Sequence, residues 1–259
     1  MSTRAPVMFI GHGSPMFAVE PGKPGELMRE FSAHFVDVEA VLIISPHWMT
    51  RGLEITAADS LEIIHDFGGF PRELYQLQYD APGSGSVAET VQSVLVECGF
   101  DASLNHSRGR DHGAWVPMIH LLPDEKLPVL QLSLDANMDP DELVRLGETL
   151  KGLREQGIAV IASGSLTHNL YEIQHLEAKP ADYVGRFTRW VREQVEAREV
   201  QALSAPHLLS DDFARAHPSA EHYLPLLIAM GATDESDRLS VLDGGVQHGV
   251  ISMESYGWV

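Results

Sequence analysis

The sequence predicts an α/β fold: one domain spanning 1–259, with a mostly parallel central sheet covered by helices on both faces. Three observations predict it. Short apolar runs rich in β-branched residues alternate with helical stretches, the pattern of buried parallel strands joined by crossover helices. Three of those runs lead into a histidine: His12 after 7–10, His47 after 41–44 and His168 after 158–161. Ligands in open α/β sheets bind outside the carboxyl ends of the strands. A metal site is therefore expected at the C-terminal edge of the strands, where distant imidazoles can meet.

The elements follow in order. Strand one is read at 7–10, a helix at 25–35 and strand two at 40–45. Residues 53–57 alternate and suit a third strand. The stretch 65–71, HDFGGFP, is a glycine-rich loop. Residues 85–98 carry apolar Val87, Val91, Val94 and Leu95 at helical spacing. A short helix is expected at 115–122 and a strand at 127–134. Residues 139–156 form a helix with Pro140 in its first turn and Gly157 past its end. The next strand is 158–162. A charged amphipathic helix covers 181–200, and another covers 218–230, opened by Pro218 and closed by Gly231. The tail, 240–253, reads as one or two strands.

Composition narrows the function. There are 37 acidic and 18 basic residues, a formal net charge of −19. Nucleic acids and anionic membranes need basic patches and are disfavoured as partners. No apolar run approaches the roughly 20 residues of a membrane helix. The N-terminal MSTRAPVMFIGHG lacks signal-peptide architecture, so the cytoplasm is the expected compartment. Cys98 is the only cysteine among 13 histidines. An internal disulfide and a thiolate cluster are excluded, so a metal would be held by histidine and carboxylate. Dinucleotide, P-loop, GxSxG and HExxH patterns are all missing.

Each histidine has a plain alternative. His12 and His47 could simply bond backbone carbonyls at strand ends, but two at equivalent ends favour a shared site. His168, in SGSLTHN, suits a base, a ligand or a cap. His112, in DHGAW, and His65, in IHDFGGFP, could serve only their turns. His222 is placed on the 218–230 helix beside Glu221. The two project about 100° apart, and periodicity does not choose between them.

At these residues the sequence resembles a known family. The words are GHGSPM at 11–16, SPHW at 45–48, IHDFGGFP at 64–71, YDAPGS at 79–84, DHGAW at 111–115, SGSLTHNL at 163–170 and PSAEHYLPLL at 218–227. In this order they are similar to the DODA-type extradiol aromatic ring-opening dioxygenases of the class III, LigB-like superfamily, nearest to the bacterial 4,5-DOPA-dioxygenase-like group. The resemblance implies His12, His47 and His222 as metal ligands. It implies His168 as acid–base or fourth ligand, and His112 as a catalytic histidine that stands behind the ligands or contacts substrate, able to donate to bound oxygen or to a substrate hydroxyl. His65 is expected to help bind substrate.

The implied partners are a small aromatic diol and O2. Fe2+ is expected for activity. Zn2+ is expected as the bound metal after purification, because it outranks Fe2+ for such ligands. An imidazole with a pKa near 6.5 can take and return a proton near neutrality, which suits His168. A zinc hydrolase and a non-enzymatic metal-binding protein are the competing readings. Turnover of an ester without O2 would favour the first of these.

Overall fold

The computed structural model describes residues 4–259. Its ten strands are β1 (Val7–Gly11), β2 (Ala40–Thr50), β3 (Leu53–Thr56), β4 (Ala102–Asn105), β5 (Val129–Asp135), β6 (Ile158–Gly164), β7 (Leu239–Leu242), β8 (Val246–Gln247), β9 (Ile251–Ser252) and β10 (Ser255–Trp258). Eight of them form one sheet in the order β4-β3-β5-β2-β6-β1-β10-β7, and β8 pairs with β9 apart from it.

The middle of the sheet is parallel: β5 with β2, β2 with β6 and β6 with β1. Those strands are almost wholly buried, which explains why they read as continuous apolar runs rather than alternating ones. β10 and β7 add an antiparallel edge on one side. On the other, β3 runs antiparallel to β5, with β4 parallel to β3 outside it. The sheet is thus mostly parallel in its core, with antiparallel pairing toward both margins.

Helices α1 (Gly22–Phe31), α2 (Gly85–Glu97), α3 (His112–Leu121), α4 (Pro140–Leu150), α5 (Asp182–Ala197) and α9 (Pro225–Ala232) cover the sheet, with short turns of helix α6 (Val200–Ser204), α7 (Pro206–Leu209) and α8 (Phe213–Ala216) between the last two. Helix α4 begins with a capping box: Asp139 accepts from the Glu142 N–H, and the Glu142 side chain accepts from the Asp139 N–H. No helix among the described residues is long and apolar enough to cross a membrane.

Several boundaries differ from the sequence reading. The 25–35 helix starts at Gly22, because Pro24 is tolerated in a first turn. It ends at Phe31, and Ser32–Phe35 tightens into a 3-10 turn. The 139–156 helix is α-helical only to Leu150; Lys151–Gln156 is again 3-10, stopped by Gly157 at φ 75°. The 115–122 helix starts earlier, so His112 is its first residue. Strand β4 escaped notice because it is four residues long and only Ala102 is buried. The 240–253 tail holds three short strands, β7 to β9, rather than one or two, and β10 follows beyond it.

The largest correction concerns the 218–230 helix. It begins only at Pro225, and residues 218–224 form turns. A helix starting at Pro218 would hold Pro225 in its interior, where a missing N–H and a ring clash are costly. His222 therefore sits in a turn, not on a helix face.

Candidate metal centre

Each histidine reaches the site by a different local device. His12 follows β1, with its backbone N–H donating to Gly164 O at 3.1 Å. His47 lies near the end of β2, where the pairing with β5 shifts register between Ile44 and Met49. Pro46 cannot donate to a ladder, so the strand bulges and carries His47 out of regular pairing. His222 is held through its carbonyl, which accepts from the Ser165 N–H at 2.9 Å. That approach requires Gly164, where a Cβ would collide with His222 O. Gly113 is constrained in the same way, because a Cβ there would strike Ser45 Oγ and the His47 ring.

One imidazole nitrogen each of His12, His47 and His222 lies within 4.8 Å of the others. His12 Nε2 and His47 Nε2 are 3.2 Å apart. Two of the opposite nitrogens, those of His12 and His222, are hydrogen-bonded outward. The Ser163 hydroxyl donates to Gly113 O, so at its 2.9 Å contact with His12 Nδ1 it can only accept. His12 Nδ1 therefore carries the proton and Nε2 presents a lone pair. His222 Nδ1 is 3.1 Å from Glu221 Oε1, while its Nε2 is buried with no hydrogen-bond partner. His47 Nδ1 is 4.0 Å from Asp66 Oδ2. Hydrogen-bonded outward partners like those of His12 and His222 fix the tautomer and orientation of metal-binding imidazoles, whereas Asp66 stands beyond hydrogen-bond reach of His47.

Burial, then the neighbouring imidazoles, pushes His12 and His222 well below the usual histidine range. Burial and His112 lower His47 to about 3, with Asp66 opposing. Burial also lowers His168, against the pull of Glu221. All four are neutral at pH 7, with lone pairs free for a cation rather than occupied by protons. Three neutral nitrogen donors around one point, one of them buried and unsatisfied, fit a divalent transition metal.

The other expected residues sit around this centre. The His112 ring is 4.0 Å from the His47 ring, centroid to centroid. His168 stacks on His222 at 3.5 Å and 10° and shares a second close group with Glu221 and His222. His65 is one ring further out, 5.7 Å from Phe67 and Trp115 and 5.8 Å from Tyr75. Phe67, rather than His65, meets the His112 ring, edge-on at 5.7 Å.

Sequence reasoning missed Asp66, Ser163 and Phe67. In sequence, Asp66 beside Gly68 and Gly69 reads as a turn former. It accepts the His112 backbone N–H at 2.9 Å, and the same oxygen lies 3.0 Å from His112 Nδ1. Burial raises its carboxyl, but His112 outweighs that and holds it below the ordinary value. The position of Glu221 beside His222 is also explained: the carboxylate orients the imidazole.

Residues 7–257 match the family described as the catalytic LigB subunit of aromatic ring-opening dioxygenase. Among curated proteins, 4,5-DOPA dioxygenase extradiol of Beta vulgaris is 33% identical over 96% of this chain and 94% of its own length. The Escherichia coli K12 protein of the same name is 33% identical over 98% and 94%. A 3,4-dihydroxyphenylacetate 2,3-dioxygenase of Escherichia coli is 25% identical over 74% and 73%. A crystal structure of an uncharacterized Escherichia coli K12 protein superposes with a TM-score of 0.80 at 28% identity, covering 98% of this chain and 99% of that one. The chain belongs to the LigB family of aromatic ring-opening dioxygenase catalytic subunits.

Proposed function

We propose that residues 1–259 act as one LigB-like catalytic domain that opens the ring of a catechol outside its two hydroxyls, using O2 at a non-haem divalent metal. The substrate is DOPA-like or another small catechol, a class supported by the names of the relatives. The observation that carries the reading is the convergence of three imidazole nitrogens whose opposite sides face Ser163, Asp66 and Glu221. His12, His47 and His222 would hold the metal through Nε2. The metal supplies Lewis acidity toward the catechol hydroxyls and, as Fe2+, the redox capacity that O2 chemistry needs.

The chain's own residues do the rest. His168, neutral and stacked beside His222, accepts a hydroxyl proton of the substrate and later returns it. His112 meets the substrate from the His47 side. Phe67 and Tyr75, backed by His65 and Trp115, offer an aromatic wall against which a catechol ring can pack. Both oxygen atoms of O2 enter the product, and no external reductant is consumed. Fe2+ is the active metal. Zn2+, which ranks higher in affinity and has no redox chemistry, is the occupant expected after aerobic purification.

The test is metal removal, anaerobic loading with Fe2+ and exposure to a panel of catechols. O2 uptake together with a yellow ring-opened product is expected. Absence of O2 uptake with every catechol would overturn the proposal.

A further inference from the structure

Asp66 lies on the loop between β3 and α2, outside the trio of converging histidines, yet it touches two rings of the centre. Its Oδ1 accepts the backbone N–H of His112 at 2.9 Å and lies 3.0 Å from Nδ1 of the same residue. Its Oδ2 is 4.0 Å from His47 Nδ1. One oxygen shared by two donors cannot lie in line with both. The side-chain contact is accordingly bent, while the backbone bond anchors the carboxylate at the first residue of α3. The same loop carries Phe67, whose ring stands at 90° to the His112 ring. His112 is thus gripped on one side by a carboxylate and on another by an aromatic edge, both from a single turn of chain.

The geometry points to Asp66 as a positioning residue for ring cleavage: it fixes the His112 imidazole with Nδ1 protonated and Nε2 bearing the lone pair, so that His112 meets a substrate hydroxyl as a hydrogen-bond acceptor. A neutral imidazole donates from one nitrogen and accepts at the other. The Nδ1 contact is too bent to count as a hydrogen bond, but a carboxylate oxygen 3.0 Å away repels a lone pair and attracts an N–H, so Nδ1 carries the proton. This differs from the donor role the sequence suggested for His112. It also ties seating of the 65–71 loop to assembly of the site, because loss of the Asp66 contact frees both the imidazole and the loop. The inference rests on the catechol reading for what His112 meets, but the tautomer itself does not.

The experiment has two readouts. In zinc-loaded protein with 15N-labelled histidine, a two-bond proton–nitrogen correlation spectrum reports which His112 nitrogen carries the proton. The wild type is expected to be Nδ1-protonated, and Asp66→Ala is expected to lose that preference. In Fe2+-loaded protein, Asp66→Ala should lower kcat about 10–100-fold, the range typical of losing an outer partner of a site imidazole. KM and bound metal per chain should stay within about twofold, because Asp66 Oδ2, at 4.0 Å from His47 Nδ1, is beyond hydrogen-bond reach of that ligand and the three converging nitrogens are untouched. Asp66→Asn keeps an acceptor oxygen and should restore part of kcat; it also serves if the alanine variant fails to fold.

An Nε2-protonated His112 in the wild type would overturn the proposal. So would an unchanged kcat in Asp66→Ala, a loss of activity matched by a loss of metal, or an asparagine variant no better than alanine. If the wild type takes up no O2, the catechol reading fails, and the spectrum still decides the role of Asp66.

Discussion

His217 offers a quantitative test of how the fold holds the loop that carries His168. Its ring is buried among Phe187, Phe213 and Tyr223, with centroids 5.8, 5.6 and 5.4 Å away. Nε2 donates to Leu166 O at 2.8 Å, and Nδ1 is buried without a partner. A second proton would therefore have to sit on Nδ1 in an apolar box. Burial lowers the pKa from 6.5 to about 4. Above pH 6.5 both folded and unfolded chains are neutral here, and the group costs nothing. As pH falls below 6.5 the unfolded chain binds the proton first, and folding loses stability until pH reaches the folded value. The whole drop is worth about 3 kcal/mol, and about 2 kcal/mol of it is gone by pH 5.

His217→Gln keeps a donor for Leu166 O but cannot titrate. Urea unfolding of metal-free protein at pH 7.5 and pH 5, at constant ionic strength, measures the stability of each protein. Buried histidines distant from His217 titrate equally in both and cancel; His168 and His222 feel its charge, an effect smaller than the burial that dominates each shift. The variant should be the less stable at pH 7.5, because the amide packs poorly in an aromatic box. By pH 5 the gap should shrink or reverse by about 2 kcal/mol. A gap equal at both values would refute the reasoning.

Three further outcomes are expected. His222→Ala should reduce bound metal to background in equilibrium dialysis with Zn2+ or Co2+, with the fold retained by circular dichroism; full retention of metal would remove His222 from the ligand set. Glu221→Gln should weaken metal affinity about 10–100-fold, as measured by chelator competition, without abolishing it; abolition would instead identify Glu221 as a ligand. Gly164→Ala should destabilise the protein by about 1–3 kcal/mol in thermal or urea melts and lower metal occupancy, because the new methyl displaces the carbonyl of His222; a neutral effect would show that the turn is not tightly held.

The parts legible in sequence were those written in local pattern. The buried strands β1, β2, β5 and β6 announce themselves because a parallel strand covered on both faces needs apolar residues at every position. The histidines at or just beyond the ends of β1, β2 and β6 could be read for the same reason. The His222 turn was hidden because the residues after it, Tyr223 to Leu227, are apolar whether they lie in a turn or a helix. Ser163 was invisible because its role depends on His12, 151 residues away. Asp66 lay in full view in HDFGG, but a carboxylate beside glycines reads as a turn until α3 is seen to bring His112 against it. Residues that orient a ligand from behind leave little local signature, because any hydrogen-bonding side chain at the right place in space can serve.

The geometry of His168 bears on whether it works on the metal or beside it. Its ring and that of His222 are nearly parallel at 3.5 Å. Lone pairs of stacked rings lie in nearly parallel planes that share no nearby point, whereas two imidazoles bound to one ion at about 2.0–2.1 Å must both hold it close to their own ring planes. His12 and His47 meet that requirement better, with rings inclined at 61° and Nε2 atoms 3.2 Å apart. Burial lowers the pKa of His168, with Glu221 opposing and His112 adding to the drop. A neutral imidazole held by its backbone N–H to Ala216 O at 2.8 Å is suited to accepting a proton at the rim of the site. On the proposed reading the stack gives the two imidazoles different work: His222 would direct its free nitrogen at a bound cation, and His168 would stay alongside with its nitrogens available to substrate.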